Sequence, residues 1–130
     1  MAPIATPLPQ ATPALQTSPT AVAGTVGSLI LLLSVTAHVA ARNVLGDVPI
    51  WKAVGIGPVT APFAILPETF GVEPALAIGL AIGADVLAIK YLYGRRWRLT
   101  AYVTLIHVVV SVLLGSIIVS LFLLLASAPG

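Results

Sequence analysis

The sequence contains no cysteine and very few charged residues. Six Lys or Arg and four Asp or Glu make up only 8% of its 130 residues. The absence of cysteine excludes disulfides, thiolate metal sites and cysteine nucleophiles. An average soluble domain carries about 25% charged residues, so a water-exposed surface cannot be built from the side chains available here. Most of the surface must face lipid or other protein.

The sequence also lacks the motifs of common enzymes. It has no GxSxG, no HExxH and no P-loop, and its acids and histidines lie on separate segments. We therefore expect no catalytic residues, no metal, no cofactor and no enzymatic activity. The sequence pI of about 9.4 comes from few groups, and we expect no nucleic-acid partner.

Hydrophobic residues are abundant: they make up 58% of the sequence, and the mean hydropathy is +1.09. Residues 1–20 are rich in Pro and Thr and predict a disordered tail. Residues 21–128 predict an all-α, polytopic transmembrane domain, because about 20 apolar residues span a bilayer core of about 30 Å. It is a four-helix bundle with spans at about 21–41, 50–67, 74–93 and 99–126.

The second span is irregular because Pro58 and Pro62 interrupt it. Proline removes a backbone hydrogen bond, which a neighbouring group or water must replace in lipid. The segment is therefore either a Pro-kinked span or a re-entrant hairpin.

The distribution of basic residues favours a kinked span. With four spans, Arg42 and Lys52 lie on the same side as the turn at residues 94–98. Short cytoplasmic loops are enriched in Lys and Arg, so both termini are predicted to be extracytoplasmic, in a plasma membrane. Four residues of the turn are expected to anchor the topology and contact lipid: Arg95, Arg96, Trp97 and Arg98.

Asp85 is the most informative polar residue, because a carboxylate inside a membrane is costly unless it is paired, hydrated or protonated. It lies nine residues before Gly94, and His107 lies nine residues after Arg98. At about 1.5 Å per residue, both lie roughly 13 Å from the turn. The sequence therefore predicts an intramembrane Asp85–His107 pair, supported by a polar stripe that includes Thr104 and Ser111.

The role of this pair is left open between two readings. It can hold two helices together by a hydrogen bond of about 1–2 kcal/mol, or it can relay a proton or bind a cation. Asp85 can also pair elsewhere, for instance with Lys90, although five residues place the two side chains about 140° apart on the helix. Lys90 is close enough to the cytoplasmic face to extend its ammonium to the headgroups.

Gly79 and Gly83 form a GxxxG motif, which is typical of close helix packing. The motif is common in membrane helices, so it predicts a packed helix face more than a particular dimer. A second small-residue face on the same helix predicts that the third span is contacted from both sides; it consists of Ala77, Ala81, Asp85 and Ala88. The expected partners are the lipid bilayer and either a second copy of the chain or another membrane protein.

Three stretches of the sequence resemble small multi-pass membrane proteins of uncharacterised function from halophilic archaea. They are the run from Arg42 to Pro58, the Asp85 and Tyr93-Gly94 region, and Ala101-Tyr-Val-Thr-Leu-Ile-His107. The resemblance covers the four spans, and it implies an archaeal plasma membrane with no known activity.

Taken together, these features predict a non-enzymatic accessory or scaffolding component of the membrane. The alternative is a small oligomeric transporter or channel that uses the Asp85–His107 pair.

Overall fold

The computed structural model describes residues 18–129, and the regular elements in this range are all helical. Four helical stretches are long and apolar enough to cross a membrane, with the second formed by α2 and α3 together. This arrangement fits a multi-pass membrane protein. The helices are α1 (Pro19–Leu45), α2 (Ile50–Ala64), α3 (Leu66–Phe70), α4 (Pro74–Tyr93) and α5 (Trp97–Ser127).

The tail predicted over residues 1–20 lies mostly outside the described residues. Its last two residues, Pro19 and Thr20, belong to α1. The Ser18 side chain accepts a hydrogen bond from the Ala21 N–H at 3.1 Å, and proline is favoured at the first helical position because its missing N–H has no helical partner there. The helix therefore begins earlier than hydropathy alone predicts.

Helices α1 and α4 each end at a glycine, Gly46 and Gly94, where the chain enters the α1–α2 and α4–α5 connections. Gly46 and Gly94 have φ values of 85° and 61°, a region that residues with a Cβ rarely adopt. The N–H of Gly94 caps the Lys90 carbonyl at 3.0 Å. The chain leaves α4 there and enters α5 at Trp97, forming the predicted tight turn.

The second span remains helical through both of its prolines. Pro58 and Pro62 lie inside α2, and the helix is interrupted only at Ile65, after which α3 continues to Phe70. The α2–α3 stretch covers 21 residues and is followed, after a three-residue connection, by α4. The stretch is therefore a helix long enough to cross a membrane, broken at one residue, rather than a hairpin that reverses at its prolines.

The four long helices pack in a ring in the order α1, α2, α4, α5, with α5 closing onto α1. The interior holds small and polar side chains, including Thr36, Asp85 and His107. Large Leu, Ile, Val and Phe side chains lie on the outside, above all along the second half of α5. This polarity is the reverse of that of a water-soluble bundle.

Helices α1 and α2 approach each other closely at Gly57 in α2. A Cβ at this position would lie 2.3 Å from Ser34 Oγ and 2.4 Å from the Ile30 carbonyl oxygen, both in α1. Only a residue without a side chain allows this contact. Because Gly57 is one turn before Thr60, the tight contact fixes the part of α2 that faces the interior.

Candidate functional site

The structure places Asp85 and His107 in direct contact at the centre of the bundle. His107 Nδ1 lies 2.6 Å from Asp85 Oδ2, and each side chain is only 2% exposed. The two residues belong to α4 and α5, which antiparallel packing holds at equal depth. The contact matches the depth obtained by counting residues from the turn.

The other two helices complete the hydrogen bonding of the pair. Thr60 in α2 donates its hydroxyl to Asp85 Oδ1 at 3.0 Å. His107 Nε2 lies 3.0 Å from the carbonyl oxygen of Leu33 in α1. This group, which we call the central network, therefore joins all four long helices through side chains from three of them and a backbone carbonyl from the fourth.

The partners of His107 define where its protons lie. The Leu33 carbonyl only accepts, so Nε2 must carry a proton and donate it. One further proton lies in the bond between Nδ1 and Asp85 Oδ2, on either atom. In both cases the pair has no net charge, which removes most of the cost of burying a lone carboxylate in an apolar interior.

A second polar contact extends the network along α5. The hydroxyl oxygens of Thr36 in α1 and Ser111 in α5 are 2.8 Å apart, and Thr36 also donates to the Leu33 carbonyl at 3.2 Å. Thr104 is buried but bonds along its own helix, to the Thr100 carbonyl at 2.8 Å. Ser111 thus bonds across a helix interface, whereas Thr104 does not.

A small recess of about 120 Å³ lies against the central network. Its polar lining comes from Thr60, Asp85, His107 and Ser111, and its remaining lining is aliphatic. Within the range 18–129, no group of three His, Asp or Glu side chains is arranged to hold a metal. The recess can hold a few water molecules beside the pair.

Within residues 18–129, the predicted packing residues Gly79 and Gly83 are not at a helix contact. Both are exposed, and a Cβ built at either glycine would have no atom within 4 Å. α4 packs instead through the face that carries Ala77, Asp85 and Ala88. The physical reason is that Asp85 must face its partners, which turns the GxxxG face outward.

The four residues that are predicted to anchor the topology all lie at the α4–α5 turn and are exposed: Arg95, Arg96, Trp97 and Arg98. The Lys90 ammonium lies 5.0 Å from the centroid of the Trp97 ring and donates to the Arg95 carbonyl. Lys90 therefore extends towards the turn and does not pair with Asp85.

A family model matches residues 16–129, a range that contains every member of the central network. The chain belongs to DUF7473, a family of unknown function. No curated protein and no solved structure matches the chain.

Sequence reasoning missed two members of the network in this DUF7473 chain. Thr60 is the one hydroxyl residue of the predicted second span, residues 50–67, and counting about 15 Å inward from Ile50 places it near the depth of Asp85. That signal was available. The Leu33 carbonyl gives no signal, because every residue has one.

Proposed function

We propose that the chain is a four-span protein of the plasma membrane that acts as a non-enzymatic accessory or scaffolding component. The membrane location is supported by the reversed polarity of the bundle, with polar groups inside and large aliphatic side chains outside. No water is available in a bilayer core to satisfy polar groups, so their enclosure in the interior suits that environment.

The orientation is supported by the grouping of basic residues at one end. The Lys52 ammonium lies 5.7 Å from the centroid of the Tyr93 ring, so the α1–α2 and α4–α5 connections are neighbours. Glu68 and Glu73 belong to the connection at the opposite end. The preference of Lys and Arg for the cytoplasmic side then makes both termini extracytoplasmic.

One observation supports the scaffolding role: the chain itself supplies the hydrogen-bond partners of the central network. Both carboxylate oxygens of Asp85 and both ring nitrogens of His107 have protein partners at 2.6–3.0 Å. A substrate or ion would have to displace these partners. The network is therefore suited to holding four helices at a fixed depth.

The recess beside the network favours a second candidate, a small oligomeric proton or cation transporter. Asp85, His107 and Ser111 all line this space. Water there would give the shared proton a place to go, as in the acid and histidine relays of membrane pumps.

Reconstitution with a pH-sensitive dye inside liposomes separates the two candidates. The D85N variant keeps an acceptor for Thr60 and gains an amide donor for His107, but it cannot exchange a proton. We expect wild type and D85N to show the same flux as protein-free liposomes, and both to copurify with the same membrane partner. Proton or cation flux in wild type that D85N abolishes, with unchanged helix content, would establish the transporter instead.

A further inference from the structure

A recess of about 380 Å³ lies at the basic end of α1, apart from the central network. It is lined by His38, Val39, Arg42 and Asn43, which lie on adjacent turns of the helix. Among the residues that the structure describes, no carboxylate contributes to its lining. The recess therefore presents an imidazole, a guanidinium and an amide beside one aliphatic side chain.

The two ring nitrogens of His38 differ in their surroundings. Nδ1 is buried without a hydrogen-bond partner among residues 18–129, which does not hold for Nε2. A buried N–H without an acceptor is rarer in proteins than an acceptor without a donor. The neutral ring therefore carries its proton on Nε2, the nitrogen that can donate to a ligand in the recess.

Arg42 and Asn43 supply the other donors. Both side chains are exposed, and within residues 18–129 the one ion pair is that of Asp85 with His107, so Arg42 has no carboxylate partner there. Asp47, five residues further on, does not line the recess. A guanidinium fork matches two oxygens of a phosphate group.

The position of the recess gives the source of that phosphate. Trp51 and Trp97 are 63% and 60% exposed at the same end of the bundle, where aromatic side chains typically meet lipid headgroups. Six basic residues lie at this end and Asp47 is its one acid, which attracts an anionic lipid surface: Arg42, Lys52, Lys90, Arg95, Arg96 and Arg98. Val39, 43% exposed, offers an apolar contact beside the donors.

We propose that this recess binds the phosphate group of an anionic phospholipid on the cytoplasmic side. The Arg42 guanidinium contacts two phosphate oxygens, while His38 Nε2–H and the Asn43 amide donate to the others. The inference rests on the membrane location proposed above. It adds a specific lipid site to the general attraction of the basic turn.

The test uses the full chain in detergent, titrated with phosphatidylglycerol and followed by native mass spectrometry. Losing hydrogen bonds to a charged group weakens binding by about tenfold or more, and we expect this loss for R42Q and H38L. R42K keeps the charge but not the fork, so it should also bind more weakly than wild type. R95Q removes a basic residue of the turn and should bind within about twofold of wild type.

Competition with inorganic phosphate identifies the source of the ligand. Displacement of the lipid at millimolar phosphate shows that the phosphate group alone is recognised. Retention of the lipid, together with its loss in R42Q, shows that the intact headgroup is required. Phosphatidylcholine binding equal to that of phosphatidylglycerol overturns the inference.

Equal weakening by R42Q and R95Q, or full retention in R42K, also overturns the inference, because either result means that charge alone attracts the lipid. Because Arg42 is exposed, the R42Q and R42K variants test the site even if H38L disturbs the helix. Circular dichroism measures the helix content of all these variants. Whether the protein resists extraction from membranes by alkaline carbonate tests the proposed membrane location independently of lipid binding. A chain that stays in the membrane without selecting anionic lipid contradicts only the lipid site.

Discussion

Thr36 in α1 and Ser111 in α5 place their hydroxyl oxygens 2.8 Å apart, although 75 residues separate them in the sequence. The contact closes the ring of four helices, because the first and last helices meet there. It lies next to the central network, since Thr36 shares the Leu33 carbonyl with His107.

This closure predicts a crosslink between the two positions. In a chain without cysteine, T36C and S111C introduced together should form a disulfide under mild oxidation, because side-chain atoms already within 3 Å are close to disulfide geometry. Gel mobility with and without reductant measures the yield. T36C with S116C, an exposed position on another face of α5, is the matched control, and equal yields for both pairs would contradict the ring order.

Gly57 and Gly79 should respond in opposite ways to the same substitution. G57A forces α1 and α2 apart, because the new Cβ meets the Ile30 carbonyl, which belongs to the helix backbone and cannot rotate away. Overpacking of this kind costs about 1–3 kcal/mol. G79A meets nothing within 4 Å and should be neutral or stabilising by up to about 1 kcal/mol.

Unfolding of the two glycine variants in mixed detergent micelles, followed by circular dichroism, gives the comparison. A loss for G79A as large as that for G57A would show that the exposed glycine face is packed against another molecule. That outcome would support the packing role that the GxxxG motif predicts for Gly79 and Gly83.

Asp85 should tolerate an amide far better than an aliphatic side chain. D85N preserves both hydrogen bonds of the carboxyl group, so we expect a stability change below about 1 kcal/mol. D85L leaves the Thr60 hydroxyl and His107 Nδ1 without partners, at about 1–3 kcal/mol for each buried group. The same micelle unfolding assay measures both variants. Equal stability of D85L and wild type would remove the structural role of the network.

The long apolar runs and the turn residues allowed much of the fold to be predicted. Four apolar segments, a tight basic turn and equal depth for Asp85 and His107 follow from helix geometry and charge placement. The extent of α2 is harder to predict from the sequence, because a proline shows where a backbone hydrogen bond is missing but not whether the helix continues. It does continue through Pro58 and Pro62.

The packing faces were harder to predict than the spans. The sequence indicates two small-residue faces on α4, the GxxxG face and the Asp85 face, and within residues 18–129 the helix packs through the Asp85 face. Gly57 gave no comparable signal, because its importance depends on which α1 atoms lie opposite. Depth can be counted from one sequence, whereas rotation about a helix axis depends on partners that the sequence does not specify.

The order in which the helices are made has a consequence for Asp85. His107 follows it by 22 residues, so at about 5–20 residues per second Asp85 waits about one to four seconds for its partner during synthesis. Thr60 is made earlier and is the one side chain of the network available in that interval. We expect T60V, but not T69V in exposed α3, to reduce membrane insertion of a nascent chain halted after α4, as scored by glycosylation tags. If the chain inserts as proposed, the Thr60 hydroxyl, one of several partners in the finished bundle, would be the first partner of the Asp85 carboxylate during translation.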